Sequence, residues 1–166
     1  MFFWFLGLSF VAVAIVFDSP SLDYRLVMAG AAAPMLEHLW GGPWITHTLL
    51  WPVVLMTLIM VVARGRRLTQ RRWLGLAIGF FMHLVLDGSW ARTTLFWWPG
   101  FGWSIAGDDV PTLPGAAAIV IMEVVGLASL WWAARRWGLT QPSRRERFLR
   151  SGNLDRSFIP GGTGTC

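Results

Sequence analysis

The sequence predicts an all-α membrane protein: a polytopic bundle of four to five transmembrane helices with a short, Pro-broken second segment. Three observations carry this. First, the 166 residues are 55% hydrophobic and only 14% charged, against roughly 25% charged in soluble domains, and mean hydropathy is +0.52. Second, the apolar residues gather into runs close to the length that crosses a hydrocarbon core of about 30 Å. Third, the basic residues, all 14 of them arginine, cluster beside those runs in the manner of cytoplasmic loops. A net charge of +5 therefore reads as membrane topology, and no nucleic-acid partner is expected. The single cysteine, Cys166, excludes a disulfide framework and a cysteine metal cluster.

The apolar runs follow in order. Residues 2–17 form a retained helix rather than a signal peptide, because no basic stretch precedes the run and no small-residue cleavage site follows it. After the polar turn 18–25, residues 26–40 form a short segment interrupted by Pro34, which frees a backbone carbonyl and bends a helix. This segment either crosses fully or re-enters, since broken segments are tolerated where protein or a wet cavity surrounds them. The turn 41–43 leads into residues 45–63, with His47 near the start and Pro52 in the first half. The loop 64–72 holds five arginines. Residues 73–90 form the next span, followed by a loop, 91–114, rich in Trp, Gly and Pro. Residues 115–137 form the last span, apolar except for Glu123. Two units result: a membrane-embedded helical domain, 1–137, and an Arg-rich, disordered cytoplasmic tail, 138–166. Both arginine clusters are expected on the cytoplasmic side of the plasma (inner) membrane, with the 91–114 loop outside.

This topology brings Glu37, His38, His47, His83 and Asp87 to similar depth near the outer interface. Glu123 lies about 13 Å into its span at 1.5 Å per residue. His83 and Asp87 stand at i and i+4 and share a helix face. Ionisable groups in a span are costly and face the protein interior. Mutual satisfaction is the cheaper arrangement, and a metal ion satisfies neutral imidazoles and carboxylates together. Asp108 and Asp109 read as a solvated turn. Trp97, Trp98, Phe101 and Trp103 read as an interfacial lid or as an apolar wall over the site.

The motif order is a Pro-containing segment, AAAPMLEHLWGG, then His47-Thr48-Leu49, then HLVLDG (His83 to Gly88) ahead of the LFWWP loop. It resembles that of the small inner-membrane metal-dependent hydrolases of the LexA-binding, inner-membrane-associated type, over most of residues 20–137. The resemblance implies metal ligands at His47, His83 and Asp87 and acidic residues after the proline. The family has Pro-Asp where this chain has Pro34-Met35; Glu37 and His38 follow within a turn as candidate substitutes.

The expected function is therefore membrane-bound, metal-dependent hydrolysis near the outer interface. The ion would be divalent and zinc-like, held by His47, His83, Asp87 and His38, with Glu37 or Glu123 as general base. The depth of the site suits a lipid-like ester or phosphoester in the bilayer, and the 64–72 arginines suit anionic lipid headgroups. The alternatives are a non-catalytic assembly or interaction protein that retains the fold, and a haem protein with His47 and His83 as axial ligands.

Overall fold

The computed structural model describes residues 1–40, 45–91, 93–100, 102 and 115–154. These residues are helical and turn-rich, with no strand among them. Helix α1, Phe2–Phe17, coincides with the first apolar run and stops at Asp18, whose backbone is left-handed at φ 36°. Helix α2, Tyr24–Ala32, is started by Asp23, whose side chain accepts the Arg25 N–H at 3.1 Å, a standard N-cap bond. It gives way to a 3-10 stretch, Ala33–Trp40, because Pro34 has no N–H to continue the α-helical ladder. The break expected at Pro34 is therefore present.

Helix α3, Leu50–Val62, starts five residues later than the predicted run. Pro52 sits in its first turn, where helix N–H groups lack partners in any case. Helix α4, Arg67–Leu86, starts six residues earlier than expected, because Arg, Leu and Gln in the basic loop are good helix formers. It ends at Asp87, followed by Gly88 at φ 71°. The short α5, Thr93–Phe96, opens the Trp-rich loop, and α6, Ala116–Arg136, matches the last apolar run to within a residue at each end.

Residues 138–154, for which composition predicts disorder, are ordered. They carry α7, Pro142–Ser151, which is docked on the bundle. Phe148 is buried in a cluster with Phe10, Val13, Tyr24 and Val27, and the Tyr24 N–H donates to Gly152 O at 2.9 Å. Two buried apolar anchors, Phe148 and Leu154, in an otherwise polar segment escape a composition test but suffice when a receiving pocket exists. Residues 155–166 lie outside the described residues.

Helices pack in the lateral order α6, α1, α2, α4, α3. Glycine lets two of these pairs meet backbone to backbone. A Cβ on Gly126 would overlap the Phe3 carbonyl, and one on Gly79 would overlap the Val27 carbonyl. Small residues at crossing points are the usual device for close helix approach in membranes. Among the described residues, one helix, Ala116–Arg136, is by itself long and apolar enough to cross a membrane; Phe2–Phe17 and Leu50–Val62 are apolar but shorter. Four to five such spans are expected from the sequence; among the described residues that one helix meets the expectation, and the rest of the expected spans are not confirmed.

The bundle has two chemically different ends. At one, Asp23 binds Arg25 and Arg72, and α7 closes over α1 and α2. At the other meet the start of α1, the 3-10 stretch after α2, the start of α3 and the end of α4, and there the histidines lie.

Candidate two-histidine site

His83 reaches this end from the last turn of α4, His47 from the turn Ile45–His47 just ahead of α3. Both are 1% exposed. Their rings meet edge to face with centroids 5.2 Å apart. The two imidazoles expected to converge from separate segments do converge.

Each ring is oriented by a fixed acceptor. His83 Nδ1 lies 2.7 Å from the Ala31 carbonyl oxygen at the end of α2. That carbonyl oxygen only accepts, so Nδ1 carries the proton, and in the neutral ring the lone pair is on Nε2. His47 Nδ1 lies 3.0 Å from Glu37 Oε2, which again places the proton on Nδ1. Glu37 Oε1 accepts the Thr46 N–H at 3.1 Å, so both carboxylate oxygens are engaged. Phe5 of α1 stacks on the His83 ring at 4.0 Å, tilted by 21°. The Leu49 N–H donates to Phe96 O at 2.9 Å, which ties α5 and the Trp-rich loop to the chain just after His47. Phe5, Ala31 and Phe96 escape a reading by residue type, since an aromatic ring and two backbone carbonyls carry no chemical signature.

The other predicted residues fall elsewhere. Asp87 keeps helical φ and ψ of −77° and −14°, and its N–H bonds His83 O at 2.8 Å. Its carboxylate, however, accepts the Ser89 hydroxyl at 2.7 Å. Spacing put Asp87 on the His83 face; the local turn through Ser89 gives its carboxylate a nearer partner. Among the described residues no three His, Cys, Asp or Glu side chains form a metal-ligating group, so the expected triad of His47, His83 and Asp87 is not assembled. The His38 side chain, Phe101, Trp103, Asp108 and Asp109 lie outside the described residues. Trp97 is exposed and Trp98 half-buried.

Glu123 is half-buried and tied to the start of α1. Its carboxylate accepts the N–H groups of Phe2 at 2.6 Å and Phe3 at 2.8 Å and pairs with the Met1 ammonium at 2.6 Å. A side chain from α6 thus caps α1 and matches the positive end of that helix. We expect Glu123→Leu to destabilise the protein by about 1–2 kcal/mol, since it strands two helix-terminal donors, and Glu123→Gln, which keeps an acceptor, by less. Thermal unfolding in detergent reads both; equal stability of Glu123→Leu and the parent would deny the cap any weight.

The chemistry of the donor set meets half the requirement of a zinc-type ion. Two imidazoles, each with Nδ1 held by a carboxylate or carbonyl, are the arrangement typical of metal-bound histidine, but three or four protein ligands are usual. In comparison with known proteins, the chain matches no family model, no curated protein and no solved structure.

Proposed function

We propose that the chain is a multi-pass membrane hydrolase whose buried pair, His47 and His83, holds a divalent, zinc-type ion and acts on an amphiphilic ester or phosphoester near the outer interface. The observation that carries this reading is the pairing itself. Two histidines from different helices meet inside an apolar bundle, each with its Nδ1–H anchored and its Nε2 lone pair defined. Such an ion, when bound, polarises a substrate carbonyl or phosphoryl oxygen and acidifies water. The chain's own residues hold and orient. Glu37 fixes the His47 tautomer and, with both oxygens engaged, acts as a positioning residue rather than as the general base. Ala31 O does the same for His83, and Phe5 shields that ring from water.

Membrane placement is supported by the exposed apolar faces of α3 and α6, where Val62, Val120, Ile121 and Trp131 are each at least 60% exposed. In water, surfaces of this size mark an interaction site or a lipid contact. The order of the elements supports five membrane passes, since α1, α2, α3, α4 and α6 alternate in direction between the two ends. The arginines of 64–72 and the helix α7 share the end away from the histidines; by the positive-inside rule this supports a cytoplasmic position for that end, with those arginines beside anionic lipid headgroups.

A second reading, a non-catalytic assembly or interaction protein, is favoured by one observation: Asp87 does not join the pair. A haem held between His47 and His83 is disfavoured, because rings in edge-to-face contact leave no gap for a porphyrin.

Elemental analysis of detergent-purified protein tests the proposal. We expect a divalent metal equimolar with the chain, its loss in His47→Ala and His83→Ala, and a 10- to 100-fold weaker affinity in Glu37→Gln, the usual cost of removing an orienting partner. Metal-free parent protein, or a His83→Ala variant as metal-rich as the parent, would sink the proposal and leave the non-catalytic reading.

A further inference from the structure

Helix α7 docks on the flank of α1 rather than beyond its end. Phe148 packs on Phe10 with ring centroids 5.9 Å apart, and α1 continues past Phe10 to Phe17. At 1.5 Å per residue, about 10 Å of α1 lies between the docking point and the arginine-bearing end. That stretch is apolar and uncovered: Ile15, Val16 and Phe17 are 59%, 74% and 53% exposed. In a membrane, side chains of this kind belong in the hydrocarbon or at its edge, so a helix docked short of them lies at the depth of the interface. The make-up of α7 suits that depth. Its sequence, PSRRERFLRS, sets four arginines against one glutamate, and Leu149 is an apolar side chain 62% exposed. Phe148 faces the bundle, and Leu149, the next residue, is turned about 100° from it. Arg145 shares the face of Leu149 one helical turn away, and it too is exposed.

We propose that α7 lies in the plane of the membrane interface, with Leu149 among the acyl chains and Arg145 and Arg150 on the phosphates of anionic phospholipid. The inference goes beyond the two-histidine site. It rests on the membrane placement above and is indifferent to whether the histidines hold an ion. Charge and apolar exposure together select the partner. Arg64, Arg66, Arg67 and Arg71 are exposed at the same end, whereas the buried Asp23 is already engaged by Arg25 and Arg72. The partner is therefore anionic. A nucleic acid or an acidic protein arriving from the aqueous side would meet the arginines and leave Leu149, Val16 and Phe17 in water. A second copy docked through this face would set Arg145 and Arg150 near their own equivalents, with Glu146 the one acid on the helix. A leaflet that holds anionic lipid takes both kinds of side chain at once. The long arginine stems lie along apolar surface while the guanidinium groups stay among the headgroups, as in basic amphipathic helices that lie on membranes.

The test uses the full chain with its one cysteine removed by Cys166→Ser, so that a single introduced cysteine carries a nitroxide label. Labels are placed at Leu149→Cys and at Ser143→Cys, which lies about 120° round α7 from Leu149. A third goes at Val124→Cys on α6, where the side chain is 59% exposed. All three positions are on the surface, so the fold tolerates them. Electron paramagnetic resonance then compares collisions with oxygen, which concentrates in lipid, and with a water-soluble nickel chelate. In nanodiscs of phosphatidylcholine and phosphatidylglycerol, the oxygen-to-nickel ratio at 149 should be several-fold above that at 143 and close to that at 124. Phosphatidylcholine alone, or Arg145→Gln combined with Arg150→Gln, should lower the ratio at 149 about two-fold or more and leave 124 unchanged. A label at 149 as open to nickel as that at 143, with 124 in lipid, overturns the inference and leaves the membrane placement standing. Nickel reaching 124 overturns both. A high ratio at 149 that is indifferent to phosphatidylglycerol and to the two arginines means apolar contact alone and overturns the anionic partner. Spin–spin broadening at 149 that vanishes on dilution with unlabelled chain marks a second copy and overturns it as well.

Discussion

Gly79→Val should cost the protein about 3 kcal/mol or more and take the histidine pair with it. A Cβ at Gly79 meets the Val27 carbonyl oxygen, and lies 2.9 Å from both Ala31 N and Gly30 Cα. These are backbone atoms and cannot rotate away, so α2 must separate from α4. Overpacking that only displaces side chains costs about 1–3 kcal/mol; moving one helix off another belongs at or above the top of that range. The separation has a chemical consequence, because Ala31 O is the acceptor that orients His83. We therefore expect a lower unfolding temperature and, under the hydrolase reading, weaker metal retention in whatever protein still folds. Val120→Ala, on the exposed face of α6, should change stability by no more than about 0.5 kcal/mol. A Gly79→Val protein as stable as Val120→Ala would show that the α2–α4 contact is not tight.

Asp23→Asn should release α7. Asp23 is 1% exposed. Its Oδ1 accepts the Arg25 N–H and Nε at 3.1 and 3.0 Å, and its Oδ2 accepts Arg25 Nη2 at 2.8 Å and Arg72 Nε at 3.1 Å. The same Arg25 reaches Leu149 O on α7. The carboxylate thus joins the start of α2, the start of α4 and the docked tail. Removing its charge leaves two guanidinium groups facing each other without a counterion, an expected loss of about 2–3 kcal/mol. It should read as faster proteolysis within residues 142–154. The pH dependence has a definite sign. Burial pushes the Asp23 carboxyl up, but its bonds and charge contacts with Arg25 and Arg72 outweigh that and hold it below the ordinary 3.8. A carboxyl lowered on folding contributes stability above its unfolded pKa and loses it as pH falls through the folded value. The clasp should therefore hold at neutral pH and open in acid below about pH 3.8. Asp23→Asn should lack that acid transition; an identical acid profile in the variant would place the transition elsewhere.

Much of the frame was legible along the chain. The apolar runs located α1 and α6 almost to the residue, and Pro34 marked where α2 stops, because apolar periodicity and the missing proline N–H act locally. The sparse ionisable groups within the runs pointed to His47 and His83. The remainder depended on which partner each group found. Asp87 shares a helix face with His83, yet Ser89 claims its carboxylate. Glu123, an acidic residue in an apolar run, looked like a site residue and is the cap of a helix far away in sequence.

The sequence by itself determined that the chain is helical, that proline breaks it between α2 and α3, and that histidines mark one end and arginines the other. These follow from composition and from interactions spanning a few residues. Only the tertiary structure decided that Glu37 serves His47, that Ala31 and Phe5 serve His83, that Glu123 belongs to α1, and that Phe148 docks the tail. Each of these joins groups at least ten positions apart, and three of the four join groups more than 50 apart. Which of several chemically equivalent partners wins is set by the close approach of helices at Gly7, Gly30, Gly79 and Gly126, a geometric outcome that no single segment encodes.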